Sequence, residues 1–280
     1  MREDVESIYA VELLFESPPG IPVDALVEAL ERACPGIDPM GNPEEILAFA
    51  HTSHRVQYQD AAIPAQLVIF PGERGDDRTE IEEAVQQSWG LPEARDLVAS
   101  APHRVLVSDM MAQGLPYRER LFLFLDALEA IVTTLPCRAI HWRQSQQITT
   151  PQLFLEARGN REQHPLLAGP LNVRYFNVSN GSVPGEALVD TAGLSVFGVP
   201  DVQCHFHGLD PDRLVALLYN LGIYVFENPE AIESGHTVDG IEPGQKWRCQ
   251  YEDALVPPAR VVLDIDPGPG FAAGGRSRGP

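Results

Sequence analysis

Lysine is almost absent: Lys246 is the only one in 280 residues, and arginine supplies the remaining bases. Schiff-base catalysis, a phosphate-gripping lysine and a nuclease lysine would each have to fall on that one side chain. None of the neighbours such chemistry needs surrounds it. No G-x-x-x-x-G-K-[ST] is present, no G-x-G-x-x-G leads from a strand into a helix, and no G-x-S-x-G frames a serine. Phosphate cofactors and a hydrolase-type nucleophile elbow are therefore unsupported. Ser195, in "GLSVFG", reads as an ordinary strand residue, and no cofactor is expected.

Cysteine is sparse. Cys34, Cys137, Cys204 and Cys249 form no C-x-x-C pair, and reduced thiols in a cytoplasmic protein are the expected state. Long apolar runs are missing too. The longest apolar helix candidate, Leu214–Phe226, contains Asn220 and is shorter than the roughly 20 residues of a membrane span. The opening "MREDVESIY" is acidic and lacks the apolar centre of a signal peptide.

What the chain has in abundance is acid. Asp and Glu number 40 against 20 Lys and Arg, a formal charge of −20, in a composition that is 44% hydrophobic and so belongs to a folded protein. The excess is spread along the chain rather than held in a tail. Such a surface repels nucleic acid and anionic membrane and steers a basic protein partner toward itself.

Hydrophobic periodicity predicts a strand at Ile8–Glu16 and a helix carrying Val23, Leu26, Val27, Leu30 and Cys34, ended by Pro35-Gly36. Short strands follow at Ile46–His51, Arg55–Gln59 and Gln66–Phe70. A polar helix is expected over Thr79–Gln87, a strand at His103–Met110, a helix from Tyr117 to Thr133 and a strand at Arg138–Ser145. Asn180-Gly181 between strand-like runs signals a two-residue hairpin turn. Asp210 and Pro211 are the N-cap and first residue of a helix reaching Phe226, and strands follow near Trp247–Tyr251 and Val261–Ile265. The fold class is α+β, with mixed and antiparallel sheets and packed helices. The division is an N-terminal half at 1–157, a linker at 158–170, a C-terminal half at 171–266 and a flexible tail at 267–280. Strand, Asp and helix recur in that order at 103–133 and 201–226, which leaves open two similar α+β halves.

Candidate chemistry gathers in "DVQCHFHG". Alternation puts Gln203, His205 and His207 on one strand face and Val202, Cys204 and Phe206 on the other. Two imidazoles on one face can hold a transition metal if other donors arrive, and His141, Glu233, His236 and Asp239 are available. The competing reading is a partner-facing or solvent-facing sheet surface, with "ESGHTVDG" as a plain turn. Trp142-Arg143 and Trp247-Arg248 each set an indole beside a guanidinium, a combination enriched at protein interfaces, although adjacency in a strand sends one of each pair to the core.

Phe197–Pro200, Leu217–Tyr224 and Gly235–Thr237 carry a resemblance. With "HRVLVSDM" and "RAIHWRQS" upstream, residues 100–265 resemble the bacterial domain-of-unknown-function family four-two-six-one. The resemblance implies a bacterial, cytosolic α+β protein of the kind placed beside secretion-system and toxin–immunity loci, and it brings no catalytic residues. The leading expectation is a non-enzymatic acidic immunity or adaptor protein that covers a basic toxin or effector. The alternatives are a metal-dependent hydrolase using His205 and His207 with Glu233, His236 or Asp239, and a structural component of a bacterial assembly.

Overall fold

The structure, a computed structural model, describes residues 8–41, 46–58, 60–71, 79–159 and 167–274. The chain forms two units, Met1–Gly169 and Pro170–Pro280. Of the expected linker, residues 160–166 lie outside the described residues, as do 275–280 of the expected tail and the N-terminal seven. No helix among the described residues is long and apolar enough to cross a membrane.

The first unit runs β1 (Ala10–Phe15), α1 (Val23–Ala33), β2 (Ile37–Met40), β3 (Leu47–Tyr58), β4 (Ala61–Pro71), α2 (Thr79–Gln86), α3 (Ala94–Ser100), β5 (His103–Met110), α4 (Tyr117–Thr134), β6 (Ala139–Trp142), β7 (Gln147–Thr149) and α5 (Pro151–Gly159). Its sheet has the order β2-β3-β4-β5-β1-β6-β7, with antiparallel neighbours throughout. β1 is an inner strand beside the central β5, and helices bury both of its faces. Leu14 packs with Ile81 and Ala84 of α2 and Ala94 of α3, while Tyr9, of opposite parity, meets Phe124 of α4 edge-on at 4.8 Å. The strands expected at 46–51 and 55–59 fall on one strand, β3, whose register shifts between His51 and Arg55, and Gln59 lies outside the described residues. A bulge of this kind looks like a strand end in sequence because alternation slips there.

The second unit runs β8 (Asn172–Asn177), β9 (Ala187–Ala192), β10 (Asp201–Phe206), α6 (Pro211–Glu227), β11 (Thr237–Asp239), β12 (Lys246–Asp253) and β13 (Val261–Asp266). Its sheet has the order β11-β12-β13-β10-β9-β8, and only the β10–β13 pair is parallel. The whole chain is thus α+β with one antiparallel and one mixed sheet. Val202, Cys204 and Phe206 are buried on the face where α6 packs over β8, β9 and β10. Gly222 permits that approach, since a Cβ there would sit 3.1 Å from Leu171 Cδ2 and 3.4 Å from Thr191 Cγ2.

Asp210 caps α6 as its sequence predicts, accepting hydrogen bonds from the backbone N–H groups of Asp212 (3.0 Å) and Arg213 (3.3 Å). Asp210→Ala is expected to cost about 1 kcal/mol in urea unfolding, with Asp210→Asn retaining most of the cap. Equal losses in the two variants would show that the cap is not the source of the effect. Asn180-Gly181 does not form a two-residue hairpin. The last β8–β9 pair is Asn177 with Ala187, and Glu186 organises the wider loop by accepting from the N–H groups of Ser182 (2.6 Å) and Val183 (3.3 Å). Residues 267–274, read as the start of a mobile tail, run back along the end of β10. Phe206 bridges Ala272, the His207 N–H donates to Phe271 O (2.8 Å), and the Ala273 N–H donates to His205 O (3.2 Å).

Candidate functional site

The second sheet has a polar row on the face opposite α6. Strand register places Arg174 of β8 beside Asp190 of β9, Asp190 beside Gln203 of β10, and Gln203 beside Asp264 of β13. All four are buried, at 1% exposure or less. A strand residue turned away from the core ordinarily meets water. Here the segment joining β12 to β13 covers the row and is tied to it by hydrogen bonds. The Leu255 N–H donates to Gln203 Oε1 (3.1 Å) and Arg174 Nη1 donates to Pro257 O (2.9 Å). Gln203 Nε2 in turn donates to Asp264 Oδ1 (3.0 Å).

Arg260, at the end of that segment, reaches back into the row. Its Nη2 donates to Asp190 Oδ2 (2.7 Å) and Thr191 O (3.0 Å), and its Nε donates to Asp201 Oδ2 (3.1 Å). Arg174 grips the same Asp190 in bidentate fashion, Nε to Oδ1 at 2.9 Å and Nη2 to Oδ2 at 2.5 Å. Asp201 also accepts from Thr191 Oγ1 (3.1 Å) and the Leu194 N–H (3.2 Å). Burial raises the Asp201 carboxyl above its ordinary value, and the Arg260 guanidinium pulls it back only in part. These carboxylates face guanidiniums, a hydroxyl and backbone donors, so their chemistry is that of a clamp holding 254–260 onto the sheet.

His205 lies at the edge of this face. Its Nε2 is 2.8 Å from Glu186 Oε1, with side-chain exposures of 12% and 4%. Burial works to raise the Glu186 carboxyl, but the Val183 and Ser182 N–H groups and the His205 charge outweigh it and hold it below the usual value. Gly274 closes over the ring. A Cβ at that position would fall 2.4 Å from His205 Nδ1, and its φ of +82° is a conformation L side chains rarely adopt.

The alternation read for β10 is the observed one, but its outer face is not a solvent surface: Gln203 is fully buried and His205 nearly so. β10 is an inner strand: α6, next in the chain, covers one of its faces, and the distant segment 254–260 covers the other. His207 follows β10 and is half-buried.

The five residues weighed as a metal-dependent site are not brought together. Glu233, His236 and Asp239 are exposed at or beside β11, three strand spacings from β10, about 14 Å. There the Glu233 N–H donates to His236 Nδ1 (3.2 Å) and Lys246 pairs with Asp239 (2.5 Å), which is turn and edge chemistry. Among the described residues no group of three or more His, Cys, Asp or Glu could hold a metal ion. His141 is in the other sheet, buried, with Nδ1 2.9 Å from Glu12.

The tryptophans are likewise not presented to a partner. Trp142 is buried, donates to Thr149 Oγ1 (2.8 Å) and packs on Phe154, and Trp247 is 2% exposed. Their neighbours point outward. Arg143 pairs with Glu80 at 2.7 Å, and Arg248 is exposed opposite Thr237. Ser195 is in a 3-10 turn, Ser195–Phe197, rather than a strand.

Arg174, Glu186, Asp190, Asp201, Arg260 and Asp264 were not legible as a group in the sequence. Their one signal is a polar residue of matching parity in each of "NVRYFN", "ALVDTA", "DVQCHF" and "VVLDID". That pattern becomes a row only once strand order and register are known.

Neither a curated protein nor a solved structure matches the chain. The family model described as Domain of unknown function (DUF4261) matches residues 190–266. The upstream stretches from residue 100, read as part of the resemblance, lie outside the match. The matched segment opens at Asp190 and contains Asp201, Gln203, Arg260 and Asp264, the clamp without its Arg174 arm. Over residues 190–266, the chain is similar to that family.

Proposed function

We propose that this protein is a non-enzymatic, acidic binding protein of the bacterial cytoplasm, an immunity or adaptor protein whose surface covers a basic partner such as a toxin or effector. The observation that carries the reading is where the positive charge goes. Arg120 is bound to Asp109, Arg158 to Asp126 and Glu129, and Arg174 and Arg260 to Asp190 and Asp201, all with nearly buried guanidiniums. Exposed bases are also matched, Arg138 by Glu16, Arg213 by Glu242 and Lys246 by Asp239. With 40 acids against 20 bases, pairing bases in this way leaves an outer surface of uncompensated carboxylates, which accelerates encounter with a cationic protein and rejects nucleic acid. The four cysteines are buried and none is in a disulfide. Burial pushes the Cys34 and Cys137 thiols up to about 12 and Cys249 to about 11, so they stay protonated and unreactive, as suits a reducing compartment.

The test is co-expression with the protein products of the genes flanking its own, followed by size-exclusion chromatography with light scattering. One basic product is expected to form a discrete complex whose association rate falls steeply as salt is raised. Absence of any complex, or a complex indifferent to salt, would overturn the reading.

A further inference from the structure

Resting on that reading, we infer that the second unit receives its partner at β11, where an extended basic segment adds a strand to the edge of the six-stranded sheet. β11 is the outermost strand on that side. Its hydrogen bonds to β12 recur at every second residue. The Cys249 N–H donates to His236 O (2.8 Å), Val238 pairs with Trp247, and the Gly240 N–H donates to Gln245 O (3.1 Å). The backbone groups of Thr237 and Asp239, between these positions, therefore turn to the open side. An edge in this state is a template for another strand.

The surroundings say what kind of strand. A cleft of about 610 Å³ runs beside β11, with Leu217, Leu221 and Tyr224 of α6 and Ile232 and Val238 in its lining. Tyr224 is 46% exposed. Apolar side chains of an added strand have a floor to pack on. Acid stands next to it in the chain: Glu230 and Glu233, both exposed, adjoin Ala231 and Ile232 of the cleft wall. The lysine in the lining, Lys246, is held by Asp239 at 2.5 Å. An incoming segment of apolar and basic residues can seat apolar side chains in the cleft while its basic side chains are attracted by Glu230 and Glu233 nearby and its backbone bonds to Thr237 and Asp239.

The experiment uses the full chain and a synthetic peptide, acetyl-Arg-Val-Arg-Val-Lys-Val-Arg-amide, with a Glu-for-Arg/Lys peptide as control. Fluorescence anisotropy measures affinity, and backbone amide shifts locate the site. The basic peptide is expected to bind in a salt-sensitive way and to shift residues 231–240, while the acidic peptide does not bind. Thr237→Pro, which removes an N–H the sheet does not use, should weaken binding at least tenfold with an unchanged unfolding midpoint. Glu233→Lys should weaken it severalfold. If Thr237→Pro lowers the midpoint, the exposed Tyr224→Ala takes its place as the reporting substitution.

Peptide binding that neither substitution changes, or shifts elsewhere on the chain, would leave a basic partner standing and overturn the β11 site. The same holds if the flanking-gene partner binds but the peptide does not. Failure of both peptide and partner would overturn the site and the functional reading together.

Discussion

Replacing Asp190 by Ala is expected to destabilise the second unit by about 3–5 kcal/mol, the range for removing one partner of a buried ion pair. Asp190 is fully buried between two guanidiniums, with Arg174 bonded to both carboxylate oxygens and Arg260 to one. Without it Arg174 keeps the Pro257 carbonyl, and Arg260 keeps Asp201 and backbone carbonyls. Two cations would then face each other in a dry interior with one carboxylate fewer, and unfolding relieves that cost. The lost clamp should also loosen 254–260, so amide exchange at Leu255, whose N–H is bonded to Gln203, should accelerate beyond the global change. Urea titration measures the first effect and hydrogen exchange the second. A loss under 1 kcal/mol with protected Leu255 would show that the row contributes little to holding the cover.

The second large effect concerns acid. His51, buried on β3, has its imidazole pulled down from 6.5 to about 4, first by burial and then by the His54 charge. The unfolded chain takes up a proton there near pH 6.5 while the folded chain resists until about pH 4. The native state therefore binds fewer protons across that window, and stability falls as pH falls through it. The depression corresponds to about 3 kcal/mol, fully present above pH 6.5 and lost by about pH 4. Acid sensitivity from the many carboxylates overlaps this window, so the measurement is a difference. Urea unfolding from pH 7.5 to 4.5 should show a shallower decline for His51→Gln than for the natural chain. Parallel declines would assign the acid sensitivity to other groups.

Some of this was legible in sequence and some was not, for identifiable reasons. β5, α4 and α6 are where periodicity puts them, because a long apolar run with a cap or a proline boundary has few alternatives. Asp210 is the clearest case, since its capping bonds reach only two and three residues along. The β8–β9 connection went the other way. Asn180-Gly181 is a strong local turn signal, but the Glu186 carboxylate, folded back onto Ser182 and Val183, stabilises a wider loop. The Trp142 and Trp247 pairs were half legible: adjacency sends indole and guanidinium to opposite faces, and burial shows which face is core.

By itself the sequence determined the α+β class, the parity of β10, the cap of α6, the acid excess and the lack of the motifs on which phosphate and serine chemistry depend. These follow from composition and from interactions spanning a few residues. Only the tertiary structure decided that the outer face of β10 is buried, that Arg174, Asp190, Gln203 and Asp264 stand in one row, and that His205 and His207 are distant from Glu233, His236 and Asp239. The physical reason is range. Gln203 is covered through Leu255, 52 residues later, and Asp190 is gripped by Arg260, 70 residues later. Alternation tells which residues share a face, but what lies over that face is set by strand order, register and the path of a distant loop.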